Sequence, residues 1–202
     1  ISAGNDHSLA LHSDGTVTGW GRSSEGQTDT PENLNALVYC DEDGNVFIIQ
    51  PNKESYQAPN LKSVLENEKI LKIGHFLRFD KNSLEFFLKC KIKNIFDTKI
   101  ASKIVRTYTD AHGLKNLVQE FCNKTIDKRQ GSSDWNKDIE KLSDKQLEYA
   151  ANDVIYLHKI KTELETMLAR EKRMDVFKKC LAFLDTRVEL DQKGFKEDIF
   201  EH

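Results

Sequence analysis

Polar and apolar positions alternate in two short runs near the start of the chain, HSLAL at 7–11 and TVTGW at 16–20, either side of Ser13-Asp14-Gly15. Alternation puts successive side chains on opposite faces of a strand, and an Asp-Gly turn between two such runs predicts a β-hairpin. After position 36 the texture changes. LVYC and VFIIQ are compact β-rich runs joined by Asp41-Glu42-Asp43-Gly44-Asn45, a turn-forming cluster. The pattern then predicts a helix near 61–68, a buried strand over 70–73, a helix over 83–90, a short strand through 92–96, and helices around 99–105 and 113–121. The best-marked helix start is Ser143-Asp144-Lys145-Gln146, a capping box, and periodicity continues from it to Arg170. A last amphipathic helix is expected over 174–184. Strands first and alternating helices later predict an α/β domain with a mixed sheet.

Composition separates the two ends further. Five of the ten glycines lie in the first 26 residues, and residues 1–40 hold one basic residue, Arg22, against five acids. Between Lys69 and Arg106 there are ten Lys or Arg and only three acids, Asp80, Glu85 and Asp97. A net charge of −3 argues against gripping nucleic acid by bulk electrostatics, so any phosphate-facing surface belongs to this middle stretch. A solvated helix surface would explain the same lysines. At 202 residues, 38% hydrophobic and 31% charged, the chain can bury one core with a small appendage. It contains no apolar run of the roughly 20 residues that a membrane-spanning helix needs. Cys40, Cys90, Cys122 and Cys180 are scattered with no C-x-x-C pair, the pattern of free thiols in a reducing, cytoplasmic compartment. The opening at Ile1, without methionine, fits a processed or partial chain.

Two positions on the long helix carry candidate chemistry. Tyr149 and Asp153 are spaced i, i+4 and share a face beside Ala150, Ala151 and Val154. An acid on an apolar surface needs a partner, and a metal ion is one; an exposed Asp beside a surface Tyr is the plainer alternative. Asp80 follows the apolar run ILKIG within GHFLRFDKNSLEFF. A carboxylate there can reach the C-terminal edge of a sheet, or can simply cap a helix.

The first 38 residues resemble one repeat of the regulator of chromosome condensation family, through A-G-x-x-H-S-L-A-L, D-G-x-V, W-G and G-Q-T-D-x-P. A single blade cannot bury both its faces, so 1–36 reads as an orphan repeat and 37–202 as the main domain. From Leu37 on, the order H-x-x-x-F-D, F-D-T-K-I-A, TYTDAHGLKNLV, S-S-D-W and Y-A-A-N-D resembles the ribonuclease D family of DEDD 3'-5' exonucleases, tyrosine subclass, in its short bacterial form. That resemblance implies a ribonuclease H-like exonuclease fold, with flanking helices on a mixed central sheet. It also implies two-metal-ion phosphodiester hydrolysis, with Mg2+ or Mn2+ ions about 4 Å apart acting at RNA 3' ends. By the same resemblance Asp80 and Asp153 are metal ligands and Tyr149 positions the attacking water, since a phenol ionising near pH ~10 is a poor free base. His75, Phe79, Lys128 and Gln130 fall at positions expected to touch substrate, with Arg129 and the lysine-rich stretch as further backbone contacts.

The family's first motif, D-x-E on an apolar strand, is absent before Leu37, where the repeat-like segment stands instead. Asp29-Thr30-Pro31-Glu32 has the wrong spacing, and its proline breaks a central strand. The first strand is thus missing or replaced. In the second motif, Gly74 and Leu77 stand where a bulkier and a smaller residue respectively are expected. Three functions follow from these features: an exoribonuclease impaired by the missing motif, a nucleic-acid-binding relative without turnover, and a propeller-type interaction fragment.

Overall fold

The computed structural model describes residues 36–52, 54–126, 139–195 and 199–200, and the backbone alone of 2–3, 7–11 and 17–21. At the N-terminus β1 (Ser2–Ala3), β2 (His7–Leu11) and β3 (Val17–Gly21) form an antiparallel sheet in that order. His7 pairs with Gly21 and Leu11 with Val17, which is the hairpin that the alternation predicts.

β4 (Leu37–Cys40) and β5 (Val46–Ile49) pair antiparallel, with Leu37 opposite Ile49. Their turn is held by Asp41, whose two carboxylate oxygens accept from the backbone and side-chain nitrogens of Asn45 at 2.8 and 2.9 Å. Gly44 supplies the left-handed φ of 88° that this reversal requires. Helix α1 (Pro59–Glu66) leads to β6 (Lys72–Gly74), then α2 (Arg78–Leu88), β7 (Ile95–Asp97) and α3 (Thr98–Val105). Strands β6 and β7 are parallel, Lys72 opposite Ile95 and Gly74 opposite Asp97. The mixed character therefore comes from one antiparallel and one parallel pair, which share no ladder among the described residues.

Helices α4 (Leu114–Cys122), α5 (Asp144–Asn152), α6 (Leu157–Arg170) and α7 (Met174–Gln192) complete the domain. Their spacing of apolar residues builds the main core: Ile160, Leu164 and Leu168 of α6 are fully buried against Leu117 and Val118 of α4, Ala101 and Val105 of α3, and Phe96 of β7. A smaller cluster, Leu65, Leu84, Leu88, Cys90 and Ile92, locks α1 to α2. A buried guanidinium ties the loop after α3 to α4. Arg106 donates to Ser102 Oγ (2.9 Å) and the Ala111 carbonyl (2.7 Å), and pairs with Glu120.

Four elements depart from the sequence reading. The strand expected over 70–73 begins only at Lys72, and Ile70 and Leu71 are exposed, because the chain is still turning out of α1 there: Ile70 N–H bonds the Asn67 carbonyl. Helix α2 starts five residues before position 83, which brings Asp80 inside its first turn. The long helix expected from Ser143 to Arg170 is broken. Its capping box is present, but between α5 and α6 the bonds tighten, Asp153 N–H to the Ala150 carbonyl and Val154 N–H to that of Ala151. Asn152 and Asp153 are weak helix formers and the β-branched pair Val154-Ile155 follows, so the interruption falls at Asp153 itself. The last helix runs on past position 184 to Gln192.

Candidate functional site

In a parallel strand pair the C-terminal ends lie on one edge, and here that edge is Gly74 and Asp97. The chain leaves it through His75, Phe76 and Leu77 on one side and through Thr98 and Lys99 on the other. Thr98 Oγ1 donates to the Gly74 carbonyl at 3.0 Å and so spends its only proton. It must then accept from His75, whose Nδ1 lies 2.9 Å away, which assigns the neutral ring's proton to Nδ1 and makes Nε2 the acceptor. Phe76 is left-handed, at φ 65°, and its ring meets Phe79 edge-on at 5.1 Å with the Lys99 ammonium 3.8 Å from its centroid. Phe79 is buried, with the Arg78 guanidinium over its ring at 5.2 Å.

Gly74 and Leu77 explain each other. A Cβ added to Gly74 would meet Leu77 Cδ2 at 2.2 Å and Cγ at 2.7 Å. The leucine fills the space that a larger residue at 74 would take, so the bulk expected at one position has moved to the other. Gly74→Phe is expected to cost roughly 2–3 kcal/mol by overpacking, and Leu77→Gly about 2 kcal/mol by loss of the partly buried side chain. Combined, they should fall short of their sum by at least about 1 kcal/mol in urea unfolding. Strict additivity would mean that the two positions do not share this space.

Asp80 stands one turn beyond this corner. Burial pushes its carboxyl up to about 7, and the neighbouring charges of Asp97 and Asp153 push the same way. Asp153, contributed by the interruption between α5 and α6, is thus brought within electrostatic reach of Asp80 from the far end of the sequence; its Oδ1 is shut off from solvent. Tyr149 is buried on α5 one turn earlier. No side chain at α2's own N-cap, Leu77, caps that helix, so Asp80 is not the N-cap considered from sequence. Sequence reasoning met Asp97 and Thr98 within the F-D-T-K-I-A motif and gave neither a role. Asp97 is buried and accepts from Lys99 N–H (2.8 Å) and Ile100 N–H (3.0 Å), but also from Phe76 N–H (3.2 Å) and Leu77 N–H (2.7 Å). Its place at the end of an apolar run directly before a helix was the available signal.

A family model described as 3'-5' exonuclease matches residues 24–169. The chain belongs to the 3'-5' exonuclease family. A regulator of chromosome condensation repeat model matches residues 1–27 only. The chain is 44% identical to NrnC of Brucella melitensis, covering 84% of itself and 82% of that protein, with a TM-score of 0.79. Structures of the Brucella protein carry bound Mg2+ and bound pGG. Among curated relatives it is 32% identical to DNA polymerase I of Aquifex aeolicus over 70% of its length, and 32% identical to ribonuclease D of Gluconacetobacter diazotrophicus over 73%. It spans only 23% and 37% of those two proteins.

Asp80 is thus within electrostatic reach of both Asp97 and Asp153, Asp97 is engaged with backbone, and no group of three or more His, Cys, Asp or Glu that could hold a metal occurs among the described residues. Lys128, Arg129 and Gln130, the S-S-D-W stretch, and Asp29 and Glu32 lie outside the described residues. The basic stretch is not one surface. Lys72 and Lys93 lie at the N-terminal edge of β6 and β7, opposite Asp80, and Lys89 and Lys91 follow the far end of α2. Arg78 is a bidentate partner of Asp191 on α7 (2.8 and 2.7 Å), and Lys81 is buried against Glu85 and Asp185. Of that stretch's cations, Lys99 stands on the Asp80 edge. Among the described residues no helix is long and apolar enough to cross a membrane.

Proposed function

We propose that this chain is a cytoplasmic 3'-5' exoribonuclease-type protein that engages RNA 3' ends through a divalent cation, Mg2+ or Mn2+, held by Asp80 and Asp153. The observation that carries the reading is that Asp80, one turn beyond the C-terminal edge of the parallel pair, lies within electrostatic reach of Asp153, both inside the span matched by the exonuclease family. Hard oxygen donors suit those ions, and a carboxyl raised to about 7 by burial, with its neighbours' charges adding to it, is one that a cation would deprotonate readily. When bound, the ion supplies charge neutralisation at the scissile phosphate. Tyr149 is one turn from Asp153 and orients the attacking water through its hydroxyl. His75, held by Thr98, and Phe79, which backs Phe76, lie on the side of the terminal nucleotide, and Lys128 and Gln130 contact phosphates. In this reading 37–202 does this work and 1–36 is an appended repeat.

Two carboxylates suffice for one ion, not for the pair that two-metal hydrolysis needs. This favours a second reading, a binding module that holds RNA 3' ends without cleaving them. A 5'-labelled single-stranded RNA incubated with Mg2+ or Mn2+ separates the two. Ladder-like shortening establishes the enzyme. Retardation of the RNA without shortening sinks hydrolysis by this chain alone and leaves the binding module. pGG, the ligand of the Brucella relative, is the natural short competitor.

A further inference from the structure

The corner between β6 and α2 is held in a conformation that its own sequence does not favour. Phe76 sits at φ 65°, a left-handed geometry costing a bulky residue about 1–3 kcal/mol unless its surroundings enforce it. Helix α2 then begins with no side-chain cap from Leu77. Both deficits are met by one side chain from the neighbouring strand. Asp97 Oδ2 accepts from Leu77 N–H and Oδ1 from Phe76 N–H, while Oδ1 also accepts from the two N–H groups that open α3. One carboxylate thus sits at the N-terminal ends of two helices.

Capping α3 alone does not need a carboxylate. Serine, threonine or asparagine would serve about as well in that position. A carboxylate is a costly choice here, because Asp97 is 1% exposed, burial pushes its own carboxyl up, and its charge adds to the pressure on Asp80. What the carboxylate alone offers is two acceptor oxygens that reach both segments at once. Asp80 lies three residues beyond Leu77, in the first turn of α2, so a shift of that amide moves Asp80 with it. On the other side, the same turn is clasped by the Arg78–Asp191 pair, which fixes α2 against α7 but leaves the corner to Asp97.

We propose that Asp97 is a positioning residue: its carboxylate sets the His75–Leu77 corner and thereby places the Asp80 carboxylate toward Asp153. The metal-binding part of this proposal rests on the reading of Asp80 as a cation ligand.

Asp97→Ser, which keeps a cap for α3 but is too short to reach the corner, tests it on the full chain. Amide hydrogen exchange should speed up at Phe76 and Leu77 by at least about tenfold while Lys99 and Ile100 stay within about threefold of wild type. Mn2+ affinity, read by titration, should fall by about tenfold, the size expected when the support of a ligand is lost. Leu117→Ala, a core change in α4 far from this corner, should lower stability without moving Mn2+ affinity. If Asp97→Ser fails to fold, Asp97→Asn keeps Oδ1 and opposes only the Leu77 amide; faster exchange then appears at Leu77 and affinity falls about threefold. Unchanged exchange at 76 and 77, or an affinity loss equalled by Leu117→Ala, overturns the proposal. A wild-type chain that binds no Mn2+, or an Asp80→Asn chain that binds it equally well, overturns the reading of Asp80, and the exchange pattern still decides whether Asp97 sets the corner.

Discussion

Asp153→Ala should abolish Mn2+ binding, and any stepwise shortening of RNA should drop by at least about 10³-fold, whereas Tyr149→Phe should leave the cation bound and slow shortening by about 10–10²-fold. The difference follows from what each side chain contributes. On the proposed reading Asp153 and Asp80 are the two carboxylates that hold the ion, so removing Asp153 leaves Asp80 as the single ligand among the described residues, and a single carboxylate is a weak ligand for a hydrated divalent ion. Tyr149 is neutral and buried, and phenylalanine keeps its volume while deleting the hydroxyl that would orient water. Calorimetric titration with Mn2+ reads the first effect, and single-turnover decay of 5'-labelled RNA reads both. Retention of Mn2+ binding by Asp153→Ala would show that the ion is held elsewhere. Equal loss in the two variants would show that Tyr149 supports the helix break rather than the water.

Local signals announce some of this site and not the rest, and the division is physical. The β4–β5 turn and the α5 capping box are short-range devices, complete within five residues, and both form as their sequences predict. Tyr149 and Asp153 stand one turn apart as their spacing predicts, because Asp153, the residue that closes α5, keeps helical backbone angles. The break after Asn152 is not legible, since weak helix formers at that point are compatible with either outcome until α6 packs into the core. The start of α2 is hidden for a sharper reason. HFLRFD has no Ser, Thr, Asp or Asn before its first helical residue, because the acceptor for that end comes from Asp97, twenty residues on and across a strand pair. The exchange of bulk between Gly74 and Leu77 is likewise a contact in space that composition alone reads as two separate oddities. The lysines mislead in the opposite direction. They cluster along the sequence, but strand direction sends Lys72 and Lys93 to the edge away from Asp80, and ion pairs absorb Arg78 and Lys81.

Asp80→Asn should make the metal-free protein more stable at pH 8, an unusual result for a change at a functional carboxyl. The folded-state carboxyl sits at about 7 against an ordinary 3.8, so between these values the folded chain binds a proton that the unfolded chain has released. Stability from this group is therefore fully present below about pH 4, declines as pH rises, and is lost once pH passes about 7. Three pH units correspond to an upper bound of ~4 kcal/mol; allowing for the part of the side chain still in contact with water, about 2 kcal/mol is the expected gain. For a chain of this size that is roughly 4–8 °C in unfolding midpoint at pH 8, vanishing by about pH 4. Asp97 is raised by burial as well, so the remaining pH dependence of Asp80→Asn should keep the same sign at smaller size. A divalent cation should act in the opposite order. Mn2+ replaces the proton, so it should raise the wild-type midpoint most at pH 8, progressively less below pH 7 where protons compete, and leave Asp80→Asn unmoved. Thermal unfolding across pH 4–8 with and without Mn2+ measures all four arms. A wild-type chain as stable as Asp80→Asn at pH 8, or a difference that ignores pH, would mean that burial and neighbouring charge do not raise this carboxyl. The cost of ionising Asp80 in the empty fold is one that a cation at Asp80 and Asp153 would offset, so the pH 8 gain in Asp80→Asn and the Mn2+ stabilisation of the wild type report on the same buried carboxyl.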